Sequence, residues 1–467
     1  MSTAARKVIV VALALVLSAC ASLGGQRRID DIRVPAQYGL GDSEKNVPKD
    51  GLRSASTREP VQDAWWRQFG DARLDRLIER VLEMNTDLAS AGLRLQRARL
   101  AAGLAKDPLW PDVEASISTG YNKTLSDNAS GQRTNGATTS VSYVLDLWGR
   151  LRAQRDVAAW EAEATAQDLQ STRIALIANT ADLYWTLAFL NQRIQAGEES
   201  LTRLERTRGL VRTQFNAGAV SRLELREAEQ QLQSQIAAQS QLEQQRVEIR
   251  NALSVLLDGT PWPKTDEPHT LADARSPEIH AGLPAELLSR RPDLRAAELR
   301  LRGALANVGI TATSYYPTLS LTGSVAGSSP SLSDVLTNPI ATLGAGLSLP
   351  FLRWNEMSLN VDLANTDYEI AANDFRKALY TAFTEVDNAL SARVELARQV
   401  DAAQAALDAA TDVERLYEVR YAAGATPLRT WLDAQETRRN AELSLAERRL
   451  EQLRNDLSLF QALGGSG

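Results

Sequence analysis

Few side chains in this sequence are placed to do chemistry. Histidine occurs twice and cysteine once in 467 residues. His269 and His280 lie in a proline-rich segment with no Cys, His or Met cluster beside them, so no metal site is expected. No glycine-rich phosphate loop and no nucleophile–base constellation occurs, and no enzyme activity is expected. The carboxylates that stand out by position are Glu224, Glu227 and Asp433. All three fall early in helices that follow tight turns, where an acidic side chain offsets the helix dipole. Cys20 is alone and cannot form a disulfide within the chain. It ends a segment with a positive start, Arg6 and Lys7, and an apolar run from Val8 to Val16. A bilayer-spanning helix needs about 20 apolar residues, so residues 1–19 read as a signal peptide.

Leu17-Ser18-Ala19-Cys20 resembles a bacterial lipobox. That resemblance implies cleavage before Cys20 and attachment of lipid to it. Ala21 rather than Asp follows, which by the same resemblance suggests sorting to the outer membrane. A lipidated residue anchors a chain without spanning the bilayer. The net charge of −6 gives no reason to expect nucleic acid as a partner.

The elements around these residues are two copies of one unit. Gln214-Phe215-Asn216-Ala217-Gly218-Ala219 ends one helix, and Ser221 with Glu224 makes a capping box for the next. Tyr421-Ala422-Ala423-Gly424-Ala425 repeats the turn, with Thr426 placed to cap and Pro427 suited to the first helical position. The glycines are 424 − 218 = 206 residues apart. Residues 20–62 read as an extended arm, 63–260 as repeat 1, 261–284 as a proline-rich segment and 285–463 as repeat 2. Helical periodicity runs from near Asp63 to Lys106, a hairpin spans about 111–148, a long helix covers 149–213 and a return helix 221–257. The second copy gives a helix to near Thr313, a hairpin at about 317–350, a long helix over 356–421 and a return helix over 427–463.

Each hairpin alternates apolar and polar residues, as in Val113, Ala115, Ile117 and in Leu343, Ala345, Leu347. Aromatics gather at one end of both copies: Trp110 and Trp148, then Tyr315, Tyr316, Phe351 and Trp354. They read either as packing of a soluble hairpin or as an aromatic girdle at a membrane rim. The long helices carry charge throughout and are some three times too long for a bilayer core of roughly 30 Å. On the return helix the stripe from Leu225 to Leu256 includes Gln235, Gln239 and Arg246, which suggests a second face toward water-filled space. Four strands cannot close a barrel, so strands in a membrane would require an oligomer.

The chain resembles the TolC-like outer-membrane factors, in the NodT-type efflux lipoprotein branch. The residues that carry the resemblance are the lipobox at Cys20, Trp65-Trp66 with Phe69-Gly70-Asp71, Asp146-Leu147-Trp148-Gly149-Arg150, Leu283-Pro284 through Arg290-Arg291-Pro292-Asp293, both tip turns and Leu432-Asp433-Ala434-Gln435. The resemblance implies a mainly α fold with a small β part: long helical hairpins in a periplasmic α-barrel, and four strands per chain in a shared trimeric 12-stranded β-barrel. It also implies docking through a periplasmic adaptor to an inner-membrane transporter. Asp433 would line the periplasmic aperture, with its repeat mate Glu227 and nearby Glu224 adding to acidic rings. Gly218, Ala219, Gly424 and Ala425 would contact the adaptor. One departure is Pro350-Phe351-Leu352-Arg353-Trp354-Asn355, where the family often has a Gly-Gly turn and Asn355 could supply a left-handed residue. The function expected is a passive exit duct for small molecules in the outer membrane, with no cofactor beyond the lipid on Cys20. The alternatives are the exit channel of a protein-secretion system, or a lipid-anchored periplasmic coiled-coil scaffold.

Overall fold

A computed structural model describes Tyr38, residues 64–123, Leu125 and residues 131–271, 275–279 and 284–465. The signal segment, Cys20, most of the arm, part of the first hairpin tip, His280 and Leu283 lie outside the described residues. The regular elements are α1 (Ala72–Met84), α2 (Thr86–Leu104), β1 (Asp112–Asn122), β2 (Gln132–Leu145), α3 (Arg150–Asn216) and α4 (Arg222–Leu256). The second copy supplies α5 (Pro292–Ser314), β3 (Thr318–Ser329), β4 (Ile340–Ser348), α6 (Trp354–Ala422) and α7 (Leu428–Ala462). With 67 and 69 residues, α3 and α6 are each roughly 100 Å long. Both are uninterrupted because their interiors lack proline and are rich in Ala, Leu, Gln, Arg and Glu.

The strands form one antiparallel sheet in the order β1-β2-β3-β4. Asp112 pairs with Ser142 in the first hairpin and Thr318 with Ser348 in the second, a shift of 206 on both strands. Between the hairpins, Tyr143 pairs with Leu321 and Leu145 with Leu319, so odd-numbered apolar positions meet on one face. The outer strands β1 and β4 are exposed along their whole length.

The main core lies near the midpoint of α3. Tyr184, Trp185, Leu187 and Ala188 pack against α1 and the C-terminal ends of α4 and α7. The aromatic run before α1 fills this junction: Trp65 stacks on Phe460 at 4.8 Å, and Phe69 meets Trp185 edge-on at 4.8 Å. Asp71 serves two elements at once. One of its oxygens accepts the backbone N–H groups of Arg73 and Leu74 at the start of α1, and the other accepts the Tyr184 hydroxyl at 2.6 Å.

The helix expected from Asp63 to Lys106 is broken at Asn85. Its side chain caps α2 by accepting from Asp87 and Leu88, both at 3.0 Å, and donates to the Leu256 carbonyl at the end of α4. Arg291 holds the same place in the second copy and donates to the Ala462 carbonyl at the end of α7, with both partners moved by 206 residues. Arg291 also grips Asp293 through two bonds and Glu385 on α6 at 2.6 Å, which explains the Arg-Arg-Pro-Asp run. After α4, Asp258 and Gly259 take φ of 54° and 75°; after α7, Gly464 and Gly465 take 77° and 78°. Asp258 accepts a left-handed conformation where its repeat mate is glycine.

Two turn expectations are corrected. Asn355 supplies no left-handed turn: it lies inside α6, which begins at Trp354 after a 3-10 turn over Pro350–Leu352. Nor does Thr426 cap α7. Pro427 occupies the cap position with extended backbone, and the Thr426 hydroxyl is buried without a partner. With φ already fixed and no N–H to satisfy, proline ends the turn without help from a side chain.

Asp71→Ala removes a helix cap and the acceptor of the Tyr184 hydroxyl. It is expected to destabilise the protein by about 1–2 kcal/mol, seen as a lower denaturant midpoint in detergent. Asp71→Asn, which also caps, retains most of that stability.

Candidate functional site

The two tip turns are built by the same bonds. Ala219 N–H reaches the Gln214 carbonyl at 2.8 Å and Gly218 N–H the Phe215 carbonyl at 2.9 Å. Ala425 and Gly424 repeat these bonds to Arg420 and Tyr421 at the same distances. The glycines sit at φ of 74° and 72°, where a Cβ would be strained.

Behind the tips, along α3, α4 and α7, runs a groove of about 560 Å³, lined among others by Glu224, Glu227, Arg429, Asp433, Glu436 and Arg439. Sequence reasoning missed Arg429, which organises the carboxylates here. It donates to Glu227 at 3.0 Å, across the junction of the two repeats, and lies 3.9 Å from Asp433 one turn along its own helix. The signal was its i, i+4 spacing to Asp433. Glu224 stays in its own capping box, where the Ser221 hydroxyl and backbone hold its carboxyl below the usual range. Glu227 and Asp433 are thus brought together through Arg429, while Glu224 faces the same groove from a local bond.

The two glutamines of the α4 stripe are not turned to water. Gln235 and Gln239 are buried, and a Cβ on Gly197 of α3 would collide with the Gln239 side chain. Gln239 donates to the Ile194 carbonyl at 3.1 Å, and Gln235 accepts from Arg439. The missing side chain at Gly197 makes room for polar packing that replaces a dry seam.

Around the midpoint, the proline-rich segment is tied to both repeats. Glu267 is buried and takes two bonds from Arg250 of α4, at 2.8 and 2.6 Å. Asn191 of α3 donates to the Pro268 carbonyl at 2.8 Å. Farther on, Ser276 donates to Asp456 of α7 at 2.6 Å, and Arg393 of α6 holds both Asp456 and the Pro277 carbonyl. Arg250 and Asp456 are repeat mates, 206 residues apart. Asp456 is fully buried, and that burial pushes its carboxyl up despite the bonds from Ser276 and Arg393. His269 is exposed and belongs to no metal-binding group; among the described residues no such group occurs.

The aromatics beside the strands divide into two kinds. Trp110 and Trp354 are 72% and 74% exposed, and Phe351 is also exposed. Trp148 donates to the Pro317 carbonyl at 2.8 Å and meets Tyr316 edge-on at 5.3 Å. Tyr315 departs from the rim expectation. It is 6% exposed, its hydroxyl donates to Glu356 and accepts from Asn360, and it packs α5 onto the start of α6. Among the described residues no helix is long and apolar enough to cross a membrane.

The Asp456 carboxyl gives a pH prediction. Its titration in the fold is raised, so the folded state holds the proton more tightly than the unfolded chain. The resulting contribution to stability is present below the ordinary carboxylate range of about pH 4 and is lost as pH rises through Asp456's own higher value. Denaturation midpoints measured against pH should show this loss in the native chain, and Asp456→Asn should flatten it.

Comparison with known proteins adds three findings. The family model described as outer membrane efflux protein matches twice, over residues 77–259 and 283–465, and the two matches start 206 residues apart. The pyoverdine export outer membrane protein OpmQ of Pseudomonas aeruginosa is 31% identical over 96% of each chain. The toluene efflux pump outer membrane protein TtgC of Pseudomonas putida is 31% identical over 95% of this chain and 93% of its own. Among solved structures, the open state of the Neisseria gonorrhoeae MtrE outer membrane channel is similar with a TM-score of 0.82 at 27% identity, over 94% of this chain and 97% of that one.

Proposed function

The chain belongs to the outer membrane efflux protein family, and we propose that three copies of it enclose one passive exit duct. It is the outer-membrane channel component of an efflux system. The observation that carries the trimer is the sheet: four strands whose outer two, β1 and β4, have no partner on one side. A bilayer offers nothing to an open strand edge. Three copies give 12 strands, within the range of closed membrane barrels. Helices of roughly 100 Å then carry the duct far beyond the membrane, into the periplasm.

The finer assignments follow the same axis. Gly218, Ala219, Gly424 and Ala425 lie at the end farthest from the sheet, where an adaptor from the inner-membrane transporter would dock. Glu227 and Asp433, with Glu224 beside them, stand behind those tips and would ring the aperture with acidic groups. Trp110, Trp148, Tyr316, Phe351 and Trp354 suit the rim between barrel and helices, and a lipid on Cys20 would anchor the same side. Small molecules are the favoured cargo, since one relative is named for export of pyoverdine and another for efflux of toluene. A lipid-anchored scaffold would leave the two free strand edges without purpose.

Mass measurement and negative-stain imaging of the detergent-purified protein test the assembly. A trimer with a long tubular outline is expected; a monomer or a thin rod would overturn it. In planar bilayers, Asp433→Asn combined with Glu227→Gln should move the reversal potential away from cation preference. An unchanged potential would leave these carboxylates only their pairing with Arg429 and their helix-dipole role.

A further inference from the structure

Inside the chain, the two repeats meet along one seam. Arg300 on α5 reaches across it to α3 and bonds both Glu161 and Asp168, the shortest contact being 2.5 Å to Asp168. Gly303 of α5 lies against Val157 of α3 on the same seam. The sheet crosses it too, where β2 pairs with β3.

Moving every member of this seam by 206 residues finds the same chemistry without a partner. Arg300 moves back to Arg94 on α2; Glu161 and Asp168 move forward to Asp367 and Asp374 on α6. All three are exposed and form no ion pair among the described residues. Leu93-Arg94-Leu95 repeats Leu299-Arg300-Leu301. The apolar surface agrees. Leu93, Leu100 and Leu104 form a helical stripe on α2, and Leu359, Leu363 and Ile370 form one on α6; each is more than half exposed. Their mates on the internal seam are covered: Leu299 and Val157 are half-buried and Ala164 is fully buried.

We propose that the seam within the chain is repeated between chains, so that α2 of one protomer packs on α6 of the next and Arg94 bonds the two carboxylates that α6 presents. This rests on the trimeric reading above and gives it a register. Val141 pairs with Gly323; 206 residues on from Val141 is Leu347, and 206 back from Gly323 is Ile117. Ile117 of β1 therefore faces Leu347 of the neighbouring β4. In the same way Ala137 with Gly327 places Tyr121 opposite Leu343. Odd positions meet odd positions, so the apolar face continues around the barrel; a one-residue slip would set it against the polar face. The occupant is a second copy of this chain, since the bare face on α2 is basic and apolar and the bare face on α6 is acidic and apolar.

The test uses the full chain purified in detergent. Ile117→Cys with Leu347→Cys is oxidised mildly and run on a denaturing gel. Directly opposed residues sit close enough for a disulfide, so covalent dimers and trimers are expected, several-fold above the pair Ile117→Cys with Leu343→Cys. That control pair is displaced by four residues, or roughly 13 Å. The unsubstituted chain, with Cys20 as its one cysteine, sets the background. In parallel, Arg94→Glu should cause loss of the trimer at a lower temperature, and adding Asp367→Arg with Asp374→Arg should restore it. A protein that is trimeric by mass but crosslinks equally well through both pairs overturns the seam and leaves the duct standing. So does a trimer that the reversed charges fail to rescue. A protein that is monomeric by mass overturns both readings.

Discussion

A strand edge in a bilayer must be paired. Each unpaired backbone N–H and C=O in hydrocarbon costs several kcal/mol, and β1 and β4 each present a full row of them. No rearrangement within one chain removes this cost, because the four strands are already joined in sequence order and the sheet is far too small to curl onto itself. The edge is therefore what forces one chain to need others. The long helices continue directly from this sheet, since each starts within a few residues of a strand end. The architecture follows outward from those backbone groups.

Duplication makes the solution economical, but the two copies do not solve each local problem with the same residue. Asn85 and Arg291 both tie the start of a short helix to the end of a return helix. The asparagine caps its own helix while doing so; the arginine cannot, and instead draws in Asp293 and Glu385. Arg250 and Asp456 both hold the proline-rich segment, one as cation and one as acid, because that segment passes each repeat once and offers Glu267 to the first and Ser276 to the second. The backbone frame is common to both copies, and the contacts with this unrepeated segment are where their side chains diverge.

Much of this was legible in the sequence because it rests on local rules. The 206-residue spacing, the glycine turns, the capping box and the strand alternation all depend on residues near one another in the chain. What was not legible depends on distant partners. The break at Asn85 is a cap inside an otherwise helical pattern, and nothing local shows that its amide reaches Leu256. Gln235 and Gln239 looked like a wet face because Gly197, which makes room for them, is 38 and 42 residues away. Tyr315 resembled a rim aromatic by position, yet its hydroxyl is taken by Glu356 and Asn360 of α6. Asp433 was singled out for its place after the second tip, but Arg429, the residue that links it to the other repeat, went unnoticed.

The repeat also shows where the two copies stop matching. Near the strands, Arg300 and Arg94 stand in the same frame with carboxylate pairs available to both. At the tips the frame fails. Arg429 bonds Glu227 within the chain, but moving that pair by one repeat sets Asp433 against Leu223, which cannot take its charge. The Arg429–Glu227 pair is itself well exposed, and such a pair contributes at most about 1 kcal/mol. Apolar packing runs in the same direction in small pieces: Leu190, Ile194 and Leu242 form a cluster, buried Gln235 and Gln239 follow, and Val211, Ala228 and Leu232 are buried beyond them. The shared ion-pair frame therefore stops short of the tips, the end at which the proposed adaptor arrives.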